Sequence, residues 1–210
     1  MSLDPNNAAI ILIGSPRAGK SSLAWEHIKS VANVKNLTII ISPSDMKFSK
    51  YAKYTLEPES SNEDLKEVAN VLMNAEKGSI IFLATASNKV CDLVFKFAHY
   101  KTNISILVDE CELYKSNEIL DICRYKAKSS LYVALCTRRP QLIDKTLIST
   151  ANAIFTFQIS EKNTLDYLRS VLDLDPDEIR NLPIQHEYIG IAENTLSGKL
   201  EKVKGKTKPF

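Results

Sequence analysis

Residues 14 to 21 read Gly14-Ser15-Pro16-Arg17-Ala18-Gly19-Lys20-Ser21 and satisfy a Gly-x4-Gly-Lys-Ser spacing. The chemistry that needs these types is polyphosphate binding. Glycines let backbone N–H groups turn inward around a β-phosphate, and a helix opening at Lys20 points its positive end at the same anion. Lys20 is placed to neutralise β- and γ-phosphate oxygens, and the Ser21 hydroxyl to ligate Mg²⁺. Ser15, Pro16, Ala18 and the following Ser22 complete the predicted cradle. Arg17 stands where many such loops have another glycine; its charge reaches either phosphate or solvent. The chain has six glycines, and two of them stand here.

A second chemical segment is Ile104-Ser105-Ile106-Leu107-Val108-Asp109-Glu110, an apolar strand ending in two acids. Asp109 can hold the Mg²⁺ water shell beside Ser21, and Glu110 can polarise an attacking water as general base. Two acids at a strand end say little alone. Behind a phosphate loop in the same sheet they point to hydrolysis, with ATP and Mg²⁺ as the expected cofactors. Lys20 and Glu110 are thus the first candidate catalytic groups, and Ser21 and Asp109 the candidate metal ligands. A strand unit separating the acidic strand from the loop's strand implies a sheet with an inserted strand between the two. That order is typical of hydrolases and motors with a catalytic glutamate and disfavours simple nucleotide kinases.

These residues require a parallel sheet covered by helices, and the pattern predicts one. Continuous apolar runs read as strands buried on both faces: Ala8 to Ile13, Asn36 to Ser42, Ser79 to Ala84, Ile104 to Val108, Leu131 to Cys136 and Ala153 to Gln158. Helices are predicted over Lys20 to Ala32, from a Ser60-x-x-Glu63 capping box to about Ala75, and over Asn88 to Tyr100. Others are predicted over Tyr114 to Lys128, Glu161 to Leu172 and from Asp175-Pro176-Asp177-Glu178 onward. Glu187 to Val203 alternates around Asn194 to Gly198 and predicts a β-hairpin, leaving a basic tail from 204 to 210. The fold class expected is therefore α/β: a P-loop NTPase of the RecA-like, additional-strand type, as one domain over residues 1–210.

Composition adds exclusions. Hydrophobic content of 44% and charged content of 25% are those of an ordinary globular chain, and a net charge of +2 does not by itself call for a nucleic-acid partner. No apolar stretch reaches the roughly 20 residues of a membrane span, and Met1 to Asn7 is too polar for a signal peptide. A cytoplasmic protein is expected. Cys91, Cys111, Cys123 and Cys136 have no metal-ligand spacing and read as buried reduced thiols.

Arginine is scarce, six against 21 lysines, yet Arg124, Arg138 and Arg139 cluster around the fifth strand. The stretch from Arg124 through Thr137-Arg138-Arg139-Pro140 to Phe157-Gln158 resembles the HerA/FtsK superfamily of DNA-pumping ATPases. There a strand ends in a Thr-Gln-Arg-Pro-like motif, followed by a short helix and another strand. Leu182-Pro183 and the hairpin resemble that family's C-terminal strands. The compact size is most similar to the viral branch, the genome-packaging ATPases of membrane-containing double-jelly-roll icosahedral viruses. The resemblance implies an ATP-driven translocase of double-stranded DNA working as a homo-oligomeric ring, a hexamer or pentamer, with capsid vertex proteins as further partners. It makes Thr137 a γ-phosphate sensor, with Arg138 where the family usually has glutamine. It makes Arg124, and after it Arg139, candidates for an arginine finger offered to the neighbouring subunit, a task suited to a permanently charged fork.

Two segments are candidates for DNA contact. Residues 43–58 interleave Lys47, Lys50 and Lys53 with Phe48, Tyr51 and Tyr54, which suits a nucleic-acid backbone. The favoured reading there is an irregular helix with aromatics on the core and lysines in water. The five lysines from Lys199 to Lys208 read first as a solvated end. Two other functions stay open on the sequence: a P-loop phosphotransferase, and a nucleotide-gated, Zot-like morphogenesis protein that binds ATP without pumping DNA.

Overall fold

The computed structural model describes residues 3–43, 45–115, 117–183, 186–194 and 197–208. Its centre is a nine-stranded sheet: β1 (Asn7–Ile13), β2 (Leu37–Ile41), β3 (Tyr54–Leu56), β4 (Ser79–Leu83), β5 (Ile104–Val108), β6 (Leu131–Thr137), β7 (Ala153–Phe157), β8 (Glu187–Glu193) and β9 (Leu200–Lys206). The order is β3-β4-β2-β5-β6-β1-β7-β8-β9. β3 through β7 are parallel, and β8 and β9 join antiparallel as a hairpin. β6 lies between β1 and the acidic strand β5, the inserted strand that the sequence implied.

The strands are apolar on both faces because both faces are covered. In β1, Ala9, Ile11 and Ile13 enter one core while Ala8, Ile10 and Leu12 enter the other. The first core is closed by α2 (Asn62–Asn74), α3 (Asn88–Tyr100), α4 (Asn117–Arg124), α5 (Lys145–Thr150), α6 (Lys162–Leu172) and α7 (Pro176–Arg180). The second is closed by α1 (Lys20–Ala32), through Leu23, Ala24, Trp25, Ile28 and Val31, with Phe48 beside it. Each fully buried Ile or Leu of this sheet contributes about 2 kcal/mol of transfer free energy.

Register aligns the chemistry. Ile13 pairs with Thr137, Val108 pairs with Leu135, and Ile41 pairs with Val108. The residues that follow these strands therefore meet along one edge, at the C-terminal ends of the parallel strands.

Several elements differ from the expectation. The capping box uses Ser61 and Asp64, not Ser60 and Glu63: Ser61 Oγ accepts from Asp64 N, and the Asp64 carboxylate accepts from Ser61 N and Glu59 N. Ser60 Oγ instead meets Ser87 Oγ at 2.7 Å. The helix expected over Tyr114 to Lys128 is only Asn117–Arg124. Tyr114 is held extended, its hydroxyl donating to Thr85 O at 2.7 Å, while Lys126 is drawn inward to Cys123 O and Thr150 O. β3 was hidden inside residues 43–58, where Lys53 N donates to Ile80 O and seats a three-residue edge strand on β4. The short helix Met46–Tyr51 meets the favoured reading at Phe48, which is buried, while Tyr51 is exposed and stacks on Trp25 at 4.7 Å.

The basic tail expected from 204 is not a free end over its described part. β9 continues to Lys206, Thr207 Oγ1 and Lys208 N both donate to Glu26 Oε1 of α1, and Thr207 N donates to His186 O. All four cysteines are buried and free, as expected. Among the described residues no helix is long and apolar enough to cross a membrane.

Candidate functional site

β1 delivers the phosphate loop between two neighbours. Gly14 N donates to Thr137 O at 3.3 Å on the β6 side, and Ser15 N to Gln158 O at 3.2 Å on the β7 side. The glycines are demanded by contact. A Cβ on Gly14 would stand 2.7 Å from Phe157 Cβ. Gly19 has φ 112, and its Cβ would lie 3.0 Å from both His186 Nδ1 and Phe157 Cε1. Arg17 is held at φ 62, in the left-handed region, which explains why glycine is common at that point of such loops.

Lys20 begins α1 and is buried, its ammonium donating to Gly14 O at 2.8 Å and Ser15 O at 2.9 Å. Burial holds its pKa below the usual lysine value, with the negative charge of Asp109 acting the other way. Asp109 follows β5 and is also buried; burial pushes its carboxyl up, and Lys20 opposes that shift. Its Oδ2 receives long contacts from Ser21 Oγ at 3.4 Å and Ser42 Oγ at 3.5 Å. Glu110 sits at φ 50, its N–H donating to Asp109 Oδ1 at 3.1 Å and its carboxylate paired with the Arg138 guanidinium.

Lys20 and Asp109 border a cleft of about 590 Å³ lined also by Pro16, Arg17, Gly19, Ser21 and Ser22 of the loop and by Arg138, Asp45, Lys47 and His186, and Glu110 reaches it through Arg138. The structure thus brings Gly14 to Ser22, Asp109 and Glu110 to one edge, with Arg138 across from them. Thr137 lies just behind: it is fully buried, bonded to the loop through its carbonyl, and its Oγ1 accepts from Arg139 N at 3.1 Å. Arg139 is exposed and does not line the cleft. Arg124 is far from it, at the end of α4, exposed and 4.0 Å from Asp121. The chain that follows it enters β6 at the opposite end of the sheet.

Sequence reasoning missed Ser42, Asp45 and His186. Ser42 and Asp45 follow β2, and only the strand order, with β2 beside β5, reveals that they flank Asp109. His186 comes from the start of the hairpin, 167 positions from Gly19; its backbone N donates to Ala18 O at 3.1 Å. No local pattern signals that contact.

The donor set fits Mg²⁺. Ser21 and Asp109 supply hard oxygens side by side, and a buried carboxylate whose charged form is disfavoured has use for a cation. Among the described residues no group of three His, Cys, Asp or Glu is placed to hold a metal ion.

A parallel sheet with a strand inserted between a phosphate loop and an acidic strand is the P-loop NTPase fold. No protein-family model matches the sequence, and no curated protein matches it. Solved structures do. The genome packaging NTPase B204 of Sulfolobus turreted icosahedral virus 2, in complex with AMPPCP, aligns with a TM-score of 0.68 at 16% identity, covering 98% of each chain. VirB4 of Thermoanaerobacter pseudethanolicus aligns at 0.67 and 11% identity, over 100% of this chain and 92% of that one. The bacterial conjugative coupling protein TrwBdeltaN70 aligns at 0.65 and 11%, over 99% and 86%. The resemblance read from the sequence is therefore met at the level of the fold.

Proposed function

We propose that this chain is a Mg²⁺-dependent ATPase that translocates double-stranded DNA, packaging a viral genome into a preformed capsid as a ring of identical subunits. The observation that carries this reading is the meeting of Lys20, Ser21 and Asp109 at one cleft, with Glu110 paired to the cleft-lining Arg138 and β6 between the strands of the loop and of the acids. Lys20, already buried and held on the carbonyls of Gly14 and Ser15, neutralises β- and γ-phosphate oxygens. Ser21 and Asp109 would hold the metal, which would supply charge neutralisation at the phosphates. Glu110 accepts the proton of the attacking water. Thr137, locked between the loop and Arg139, transmits the state of the phosphate end to β6.

A ring would let a neighbouring subunit add a further arginine to each cleft. Arg124 is exposed and remote from its own cleft, as a finger serving the neighbouring subunit must be. Arg139 is the second candidate. The packaging assignment draws support from the neighbour described as a genome packaging NTPase, matched over nearly its whole length. For the DNA path, Lys47 borders the cleft, and Lys202, Lys204 and Lys206 are exposed on the edge strand β9, where Lys204 pairs with Glu178 and Lys206 with Glu187. Capsid vertex proteins are the partners such a motor would dock on.

An ATPase assay with and without double-stranded DNA, run beside a mass measurement of the assembly, tests the proposal. DNA-stimulated phosphate release from a ring supports it. ATP binding with neither stimulation nor assembly favours the morphogenesis reading, and phosphate transfer to a nucleoside favours a phosphotransferase.

A further inference from the structure

Arg138 stands at the end of β6 facing two anionic claims. Its guanidinium pairs with the Glu110 carboxylate, yet the same side chain lines the cleft with Lys20 and Ser21, close enough for its charge to lower the Lys20 pKa. Its backbone N–H donates to Glu112 Oε1 at 3.0 Å. Glu110, its partner, sits at φ 50, in the left-handed region that a non-glycine residue rarely adopts. A carboxylate engaged by a guanidinium is poorly placed to take a proton from water. A guanidinium has a planar fork of donors that phosphate oxygens fill as well as a carboxylate does, and a triphosphate carries more charge than Glu110.

We propose that Arg138 reads the terminal phosphate in its own subunit and thereby gates Glu110. A nucleoside triphosphate in the cleft draws the guanidinium off Glu110, and the freed carboxylate then orients and deprotonates the attacking water. A diphosphate is too short to compete, so the pair stays closed and Glu110 stays idle. This rests on the reading of the cleft as an ATP-hydrolysing site. It makes Arg138 a phosphate contact that positions the base, distinct from a finger supplied by a neighbour.

Dissociation constants for β,γ-methylene ATP and for ADP, with Mg²⁺, test it in the wild type, Arg138→Gln, Glu110→Gln and the double variant. Arg138→Gln should lose about tenfold in triphosphate affinity with ADP affinity unchanged. Glu110→Gln, which releases Arg138, should gain severalfold for the triphosphate only. That gain should vanish when Arg138 is also Gln, the non-additivity of two groups in contact. Arg138→Lys, which keeps the charge without the fork, should fall between wild type and Arg138→Gln, and it serves if Arg138→Gln does not fold. An unchanged ratio of triphosphate to ADP affinity in the Arg138 variants, or a Glu110→Gln gain that persists in the double variant, overturns the gate. A wild type that binds neither nucleotide would instead overturn the reading of the cleft.

Discussion

At the N-terminal ends of the parallel strands Lys35 is 1% exposed, and its ammonium is consumed by Ser130 O at 2.8 Å and Asn6 Oδ1 at 3.2 Å. Lys126, 8% exposed, is likewise closed by Cys123 O and Thr150 O. Asn152 there accepts from Ala9 N and donates to Glu193 Oε2. At the C-terminal ends Lys20 also donates to two carbonyls, but they belong to a loop bordering a 590 Å³ cleft, with the buried carboxylate of Asp109 close by. Glu112 Oε2 and His186 Nδ1 are buried in that neighbourhood with no hydrogen-bond partner among the described residues. One end of the sheet spends its buried polar groups on tying strands together. The other leaves them unsatisfied or loosely satisfied, which costs stability and leaves capacity for a ligand.

The comparison breaks most visibly at its lysines. Lys20→Met should cut triphosphate affinity by about a thousandfold and lower the urea midpoint less than Lys126→Met does, because water in the open cleft can take over the carbonyls of Gly14 and Ser15. Lys126→Met should do the reverse, losing about 1–3 kcal/mol by orphaning two carbonyls and leaving nucleotide affinity intact. Nucleotide titrations beside urea unfolding separate the two; an exchange of these outcomes would dissolve the distinction between the ends.

Next in size is Gly19→Ala, where a left-handed φ and 3.0 Å contacts to His186 and Phe157 act together. A loss of about 2–3 kcal/mol is expected by thermal or urea unfolding. The closed end has a pH signature of similar scale. Burial lowers the Lys35 pKa to about 8 from 10.5. Between those values the unfolded chain binds more protons than the folded one, so this group makes stability rise with pH across that window, by about 2 kcal/mol. Stability measured from pH 7.5 to 10.5 in wild type and Lys35→Met should show that rise only in the wild type. The smallest effect is at Arg17. Arg17→Gly removes a non-glycine residue from φ 62 and should stabilise by about 0.5–1 kcal/mol, read from the urea midpoint.

What could be read in advance follows from where information sits in a chain. The strands β1, β2, β4, β5, β6 and β7 were legible because burial on both faces leaves an uninterrupted apolar run. β3 was not, since three residues at an edge carry no such run, and residues 43–58 read as a loop. The Gly14 to Ser21 loop and Asp109-Glu110 were legible because local spacing encodes them. Ser42, Asp45 and His186 were not, because strand order and a distant hairpin bring them in. Arg138 was noticed as a departure from the family's motif; its pairing with Glu110 needed the register of β5 against β6. The short α4 was missed because Tyr114 and Lys126 are claimed by tertiary hydrogen bonds that override helical periodicity.

The central claim is that the open end of the sheet hydrolyses ATP with Glu110 as base, and paired measurements on Glu110→Gln test it most directly. Mg²⁺-dependent phosphate release should fall by about a hundredfold or more, while ATP binding is retained or strengthened. Full hydrolysis by Glu110→Gln would contradict the account.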